Sequence, residues 1–341
     1  MPKVDLHRHL EGSVRLETIL DLARRNDVSL LVDDLEGLKR CIQVIDDPPD
    51  FHNFLEKFES LHLIYTNRET VERVTYEAIA DAAADNVKYL ELRFSPDHLA
   101  RQCGFAFDDV IAWVSEARDQ AARDFGIRVQ LLATVVREYD QLTARRIMEA
   151  VMTSPDKVIA GLDLAGDEVN YPLEPYVDIL RPGLDAGLPI TVHAGEALGA
   201  ASVKAAIDFL NPQRLGHGVR AIEDEAVLDL IRQRNIVLEI CPTSNLQTGV
   251  VANFAEHPLK ELHERGISVT INTDDPCISD TTLTKEYQVA VEQIGITLSQ
   301  LKEMILNGVR AAFLPIEEKE QLQKWFKKAL EQSGDPGPWP D

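Results

Sequence analysis

Cysteine is scarce in the 341-residue sequence, and the four present, Cys41, Cys103, Cys241 and Cys277, stand far apart. No CxxC pair occurs, which sets aside a thiolate zinc knuckle or a dithiol redox centre; the four are expected to be reduced, buried and chemically quiet. No apolar run is long enough to span a bilayer. The N-terminus enters a strand-like segment almost at once, without a charged region ahead of an apolar stretch, so a cytoplasmic protein is expected. Positive charge is also in short supply: 35 Lys and Arg stand against 57 Asp and Glu, a formal net charge of -22. Nucleic-acid backbones and anionic membranes are polyanions that such a surface repels, so neither is expected as a partner, and the charge is read as serving solubility. Apolar residues, at 45%, suffice to fill the core of one large α/β barrel or of two average domains.

The order of segments favours the barrel. Strands are predicted at VDLHRHL, YLELRF (89–94), VQLLATV (129–135), VIAGLDLAG (158–166), PITVHAG (189–195), RLGHG (214–218), IVLEICPTS (236–244) and SVTINTDDP (268–276). Helical stretches separate them. Over 68–86, Val71, Val74, Ala78, Ile79 and Ala82 fall on one face at helical spacing, and 108–125 and 224–235 behave likewise. Eight alternations of strand and helix imply a parallel sheet closed into a (β/α)8 TIM barrel. An open, doubly wound sheet would not bring polar residues from the first to the last strand end together. Residues 26–67 are too long for a simple connection. With Phe51, Phe54, Leu55 and Phe58 at helical spacing they form either a packing stripe or an inserted helical gate over the pocket mouth. After residue 315 an amphipathic C-terminal helix is expected, so 1–331 is read as a single (β/α)8 domain and 332–341 as a disordered tail.

The chemistry-bearing residues sit at strand ends. His7 and His9 are two apart and share a strand face; VHAGE adds His193 and Glu196, LGHG adds His217, and NTDDP adds Asp274 and Asp275. Counting by twos along strand eight turns Asp274 inward with Thr270 and Asn272. Three histidines and an aspartate make a zinc ligand set, though iron or cobalt suits one too. Strand four ends GLDLAGD without a lysine to bridge two ions, and Lys157 lies before that strand, so one metal is expected. A metal with an open position acidifies water to near neutrality. His217 and Asp275 are suited to hold that water and take its proton. Glu196 is either a proton donor to a ring nitrogen or a helix N-terminal acid.

Read together, PKVDLHRHLEGS, YLELRFSP, GLDLAGDE, TVHAGE, RLGHGV, CPTSN and SVTINTDDP resemble the adenosine deaminase family, the metal-dependent purine deaminases of the amidohydrolase superfamily, in its bacterial type. The resemblance runs from Pro2 to about Leu330. It implies hydrolytic deamination of adenosine and 2′-deoxyadenosine to inosine and 2′-deoxyinosine, with ammonia released, by a zinc-bound hydroxide attacking purine C6. It implies one zinc per chain on His7, His9, His193 and Asp274. Glu196 would protonate purine N1, His217 and Asp275 would orient the hydroxide, and the Gly166 N–H would meet purine N3. Phe54, Leu55 and Phe58 would belong to the gate.

The family commonly shows HLDG, its aspartate near the ribose 5′-hydroxyl, where this chain has HLEG with Glu11. Relatives that deaminate free adenine or modified nucleosides often carry the glutamate, so those substrates are the alternative. GHG at 216–218 and NTDDP at 272–276 favour the nucleoside. AMP is set aside, because nothing basic clusters near the motifs. A catalytically silent nucleoside-binding protein is disfavoured, because no ligand or proton donor is lost. No oligomeric state is implied.

Overall fold

The computed structural model describes residues 1–331 apart from Asp46, Asp156 and Lys157. The expected tail and the placement of Lys157 therefore lie outside the described residues. Eight strands, β1 (Lys3–His9), β2 (Val87–Phe94), β3 (Arg128–Val136), β4 (Gly161–Ala165), β5 (Ile190–Ala194), β6 (Arg214–His217), β7 (Val237–Ile240) and β8 (Val269–Ile271), pair in parallel in chain order. The ring closes between β8 and β1 by a bridge from Arg8 to Asp274. There His9 N donates to Asp274 O at 2.9 Å and Asp274 N donates to His7 O at 2.8 Å. Leu6 N donates to the Asn272 side chain at 3.0 Å. This is the expected (β/α)8 barrel.

The helices follow their apolar stripes. Arg68–Ala84 buries Val71, Val74, Ala78, Ile79 and Ala82 and is started by a capping box between Asn67 and Thr70. Phe107–Phe125 ends at Gly126 and Glu225–Arg234 at Asn235, both in the left-handed region that closes a helix. The long excursion folds into Leu35–Ile42, Phe51–Glu56 and a short turn at Leu61–Ile64. Two helices, Leu298–Ala311 and Ile316–Glu331, finish the described chain. Between them Phe313 lies under the Arg214 guanidinium, 3.4 Å from the ring centre. Among the described residues no helix is long and apolar enough to cross a membrane.

Three expectations need correction. β8 stops at Ile271, so alternation by twos does not reach Asp274; a turn with Asp274 at φ +61° aims it instead. β7 stops at Ile240, because Pro242 opens a helix, Pro242–Gln247, from the CPTSN motif. Of the four thiols, all free, only Cys241 is buried; Cys277 is half-buried and Cys41 and Cys103 are exposed.

The barrel axis carries charge where branched apolar side chains usually fill the layers. Glu91, Arg93, Asp163, Arg214 and Glu239 are all fully buried. Arg93 donates to Leu6 O at 2.7 Å and to Glu239 Oε2 at 2.8 Å, and its other terminal nitrogen lies 3.3 Å from Asp163 Oδ1. Arg214 pairs with Glu91 and Glu239. Burial disfavours the Arg93 cation, but Asp163 and Glu239 outweigh it and drive its pKa upward. Removing one member of such a network leaves its partners charged and unpaired. Arg93→Met is therefore expected to cost about 3–5 kcal/mol in urea denaturation; a loss below about 1 kcal/mol would show that the network does not hold the barrel.

Candidate active site

At the C-terminal ends of the strands, His7, His193, His217 and Asp274 place one nitrogen or oxygen each within 4.8 Å of one another. His9 joins them: its Nε2 lies 3.3 Å from His193 Nε2 and 3.5 Å from Asp274 Oδ1. His7 Nε2 lies 3.2 Å from the same oxygen yet makes no hydrogen bond, and it is fully buried. The outer nitrogens explain the arrangement. His7 Nδ1 meets Glu239 Oε2 at 2.8 Å and His193 Nδ1 meets Asp163 Oδ1 at 3.1 Å. Both carboxylates are held well below their usual pKa range, against burial, with Arg93 the chief cause. An ionised carboxylate only accepts, so each Nδ1 carries the proton and each Nε2 turns a lone pair inward.

That electron-rich centre fits a metal cation. Burial lowers the pKa of His9 and His193, keeping them neutral as ligands must be. For His7, burial and Arg93 push down while Asp274 and Glu239 push up, and the net shift is upward. Positive charge is thus favoured between His7 and Asp274, and a metal supplies it as a proton does. Along the axis the four ion-paired carboxylates of Glu91, Asp163, Glu239 and Asp274 face the two guanidinium groups of Arg93 and Arg214. A divalent ion would balance them. His217 and Asp274 both sit at positive φ, +59° and +61°, conformations that tertiary structure must impose on residues other than glycine.

Glu196 stands in the turn after β5, buried, with Oε1 3.6 Å from His217 Nε2. Burial first, then Asp274 and Glu168, drive its pKa well up, which favours the protonated form. The reading of Glu196 as a helix N-terminal acid loses ground, since the next helix, Ala200–Leu210, has no acidic residue in its first turn. A residue that sequence reasoning missed holds the turn. The Glu168 carboxylate accepts the N–H groups of Gly195, Glu196, Ala197 and Leu198 and the Ser202 hydroxyl. Its signal was the final letter of GLDLAGDE. Asp275 is buried too, and burial and Asp274 push its pKa well up.

The predicted residues converge on one cavity of about 570 Å³, lined by His9, Glu11, Gly166, His193, Glu196, His217, Asp274 and Asp275, with Phe51, Phe54, Leu55 and Phe58 from the inserted segment. His7 is fully buried and does not line it. Gly166 has φ +96°, and a Cβ there would stand 1.9 Å from Glu138 Oε2, so only glycine fits. Glu11 Oε1 accepts from Ser95 N at 2.6 Å, while Oε2 is buried without a partner. Burial raises its pKa to about 7. Sequence reasoning saw no basic cluster, but the fold brings His62, His98 and Arg101 into the same lining.

The family model described as adenosine deaminase matches residues 2–329. The chain belongs to the adenosine deaminase family. An adenosine deaminase of Aliivibrio fischeri is 38% identical over 328 residues, covering 96% of this chain and 98% of its own. Among solved structures, an adenine deaminase from Arthrobacter aurescens superposes with a TM-score of 0.90 at 26% identity, covering 97% of this chain and 99% of that one. An amidohydrolase from Burkhoderia ambifaria with bound zinc gives 0.88 at 26% identity, covering 97% and 91%. As a member of the adenosine deaminase family the protein is a hydrolytic deaminase, and its His and Asp cluster can hold a metal.

Glu168→Ala would strip four backbone amides of their acceptor. Amide exchange over 195–198 is expected to speed up by at least about tenfold, the equivalent of one lost hydrogen bond of about 1.4 kcal/mol; unchanged protection would remove Glu168 from this role.

Proposed function

We propose that the protein deaminates adenosine and 2′-deoxyadenosine hydrolytically, with one zinc ion on His7, His9, His193 and Asp274, residues 1–331 acting as one catalytic domain. The observation that carries this reading is the single cavity in which inward-facing imidazole lone pairs and Asp274 adjoin a buried Glu196 whose pKa is driven upward. Zinc, when bound, supplies a water acidic enough to ionise at neutral pH. His217 and Asp275 would orient that water. Glu196 donates to purine N1, which draws electron density from C6 as the attack proceeds. The Gly166 N–H faces purine N3, and Phe54, Leu55 and Phe58 exclude bulk water over the base. Four unpaired cysteines, two of them exposed, suit a reducing, cytoplasmic setting.

At the sugar end, Glu11 offers its partnerless oxygen to a hydroxyl. A phosphate is disfavoured: Arg101 is tied to Asp97 at 2.8 Å and lies over the Tyr139 ring, and Glu11, Glu59 and Glu138 adjoin the basic side chains. Free adenine is the second reading, supported by Glu11 and by the likeness to an adenine deaminase.

Ammonia release from adenosine, 2′-deoxyadenosine, adenine and AMP, measured in parallel on zinc-loaded protein, decides the substrate. The nucleosides are expected to lead adenine and AMP in kcat/KM by at least about 100-fold, roughly 2.7 kcal/mol of transition-state discrimination; a lead for adenine would move the protein to the free-base reaction.

Two variants separate the metal from the acid. His193→Ala is expected to lose stoichiometric zinc, and full zinc content would remove His193 from the ligand set. Glu196→Gln is expected to keep zinc and lose roughly 10²–10⁴-fold in kcat. Because the protonated form of Glu196 acts and its pKa is raised, activity is present below that pKa and falls as pH rises through it. An alkaline limb that Glu196→Gln retains unchanged would assign the limb to another group.

A further inference from the structure

His217 differs from the other inward-facing histidines in what holds its outer nitrogen. His7 and His193 each meet a carboxylate there, whereas His217 Nδ1 lies 3.0 Å from Asn245 Nδ2. Asn245 lies in the CPTSN helix and is fully buried, its other amide atom, Oδ1, 3.3 Å from His257 Nε2. The chain ends at a group with no choice of role: Leu259 N, the first backbone amide of helix Leu259–Glu264, donates to His257 Nδ1 at 3.0 Å.

The direction of every bond follows from that amide. His257 Nδ1 accepts, so in neutral His257 the proton is on Nε2. Burial lowers the His257 pKa to about 3, and the ring is neutral at working pH. His257 Nε2–H donates to Asn245 Oδ1, which leaves Asn245 Nδ2–H to donate to His217 Nδ1. A flipped amide would set Nδ2–H against Nε2–H and is excluded. His217 must then carry its proton on Nε2, 3.6 Å from Glu196 Oε1 and 3.7 Å from Asp274 Oδ2.

We propose that Asn245 and His257 are positioning residues that hold His217 as the Nε2–H tautomer, the opposite of the tautomer imposed on His7 and His193. His217, although it falls in the same geometric cluster, is thereby withheld from the metal and presents a donor to the cavity. The consequence for catalysis rests on the reading of His217 as the group that orients water; the tautomer itself does not.

The test is ¹⁵N spectroscopy of histidine-labelled protein, metal-free and zinc-loaded. His217 is expected to show a protonated Nε2 and a bare Nδ1 in both states, with His7 and His193 carrying a proton on Nδ1; an Nδ1–H His217 in the native protein overturns the proposal whatever the substrate proves to be. Asn245→Asp places an acceptor at Nδ1 and is expected to move the proton there, keep zinc, and lower kcat at least tenfold with KM changed by less than about threefold. An unmoved proton in that variant overturns the proposal. His257→Ala is expected to weaken the preference and His257→Gln, which returns an N–H donor to Asn245, to restore it; a tautomer indifferent to both removes His257 from the chain.

Discussion

The site depends on one guanidinium. Arg93, buried at the centre of the barrel, lies between Glu239 and Asp163, and those two carboxylates hold the outer nitrogens of His7 and His193. Buried alone, the carboxylates would gain protons and could then donate as well as accept, and the tautomers of both histidines would be free to change. Arg93 keeps them ionised. It also donates to Leu6 O, so the group that sets the charge state of the site is bonded to the strand that carries His7. A lysine would carry the charge without the fork that reaches three acceptors on three strands.

The same barrel end holds carboxyl groups in opposite states. Asp274 is kept ionised, against burial, by His7, His217 and His9. Glu196 and Asp275, a few ångströms off, are pushed towards the acid form by burial and by Asp274 itself. Separating titratable neighbours in this way lets one site bind a cation and deliver a proton at the same pH. Partner chemistry does for the imidazoles what burial does for the carboxyls: a carboxylate behind the ring turns a lone pair inward, and an amide N–H behind it turns a proton inward.

How much could be read from the chain follows from what each signal depends on. The barrel was legible because strand and helix periods alternate without interruption, and the chemistry-bearing residues because they fall at strand ends that only closure unites. Arg93 and Glu239 escaped notice although both stand inside recognised strands, YLELRF and IVLEI. A charged residue within an apolar run gives no sign of its partner 146 residues away. His257 lies in a loop with no periodic signal, and its role appears only through Asn245. Asp274 was placed correctly for the wrong reason, since counting by twos assumes a strand that has already ended.

That ending has a physical purpose. At Asp274 the backbone leaves the strand in a left-handed turn, yet its N–H and C=O still bond to His7 and His9 across the seam that closes the barrel. The link that completes the ring therefore carries the aspartate on one side and two of the three proposed ligand histidines on the other. A cation held by Asp274, His7 and His9 would add to the bridge and the side-chain bonds that join the first and last strands. Strain at Asp274 is tolerable there because backbone bonds hold the seam on both sides of it. Closure of the fold and the proposed metal seat therefore draw on the same residues.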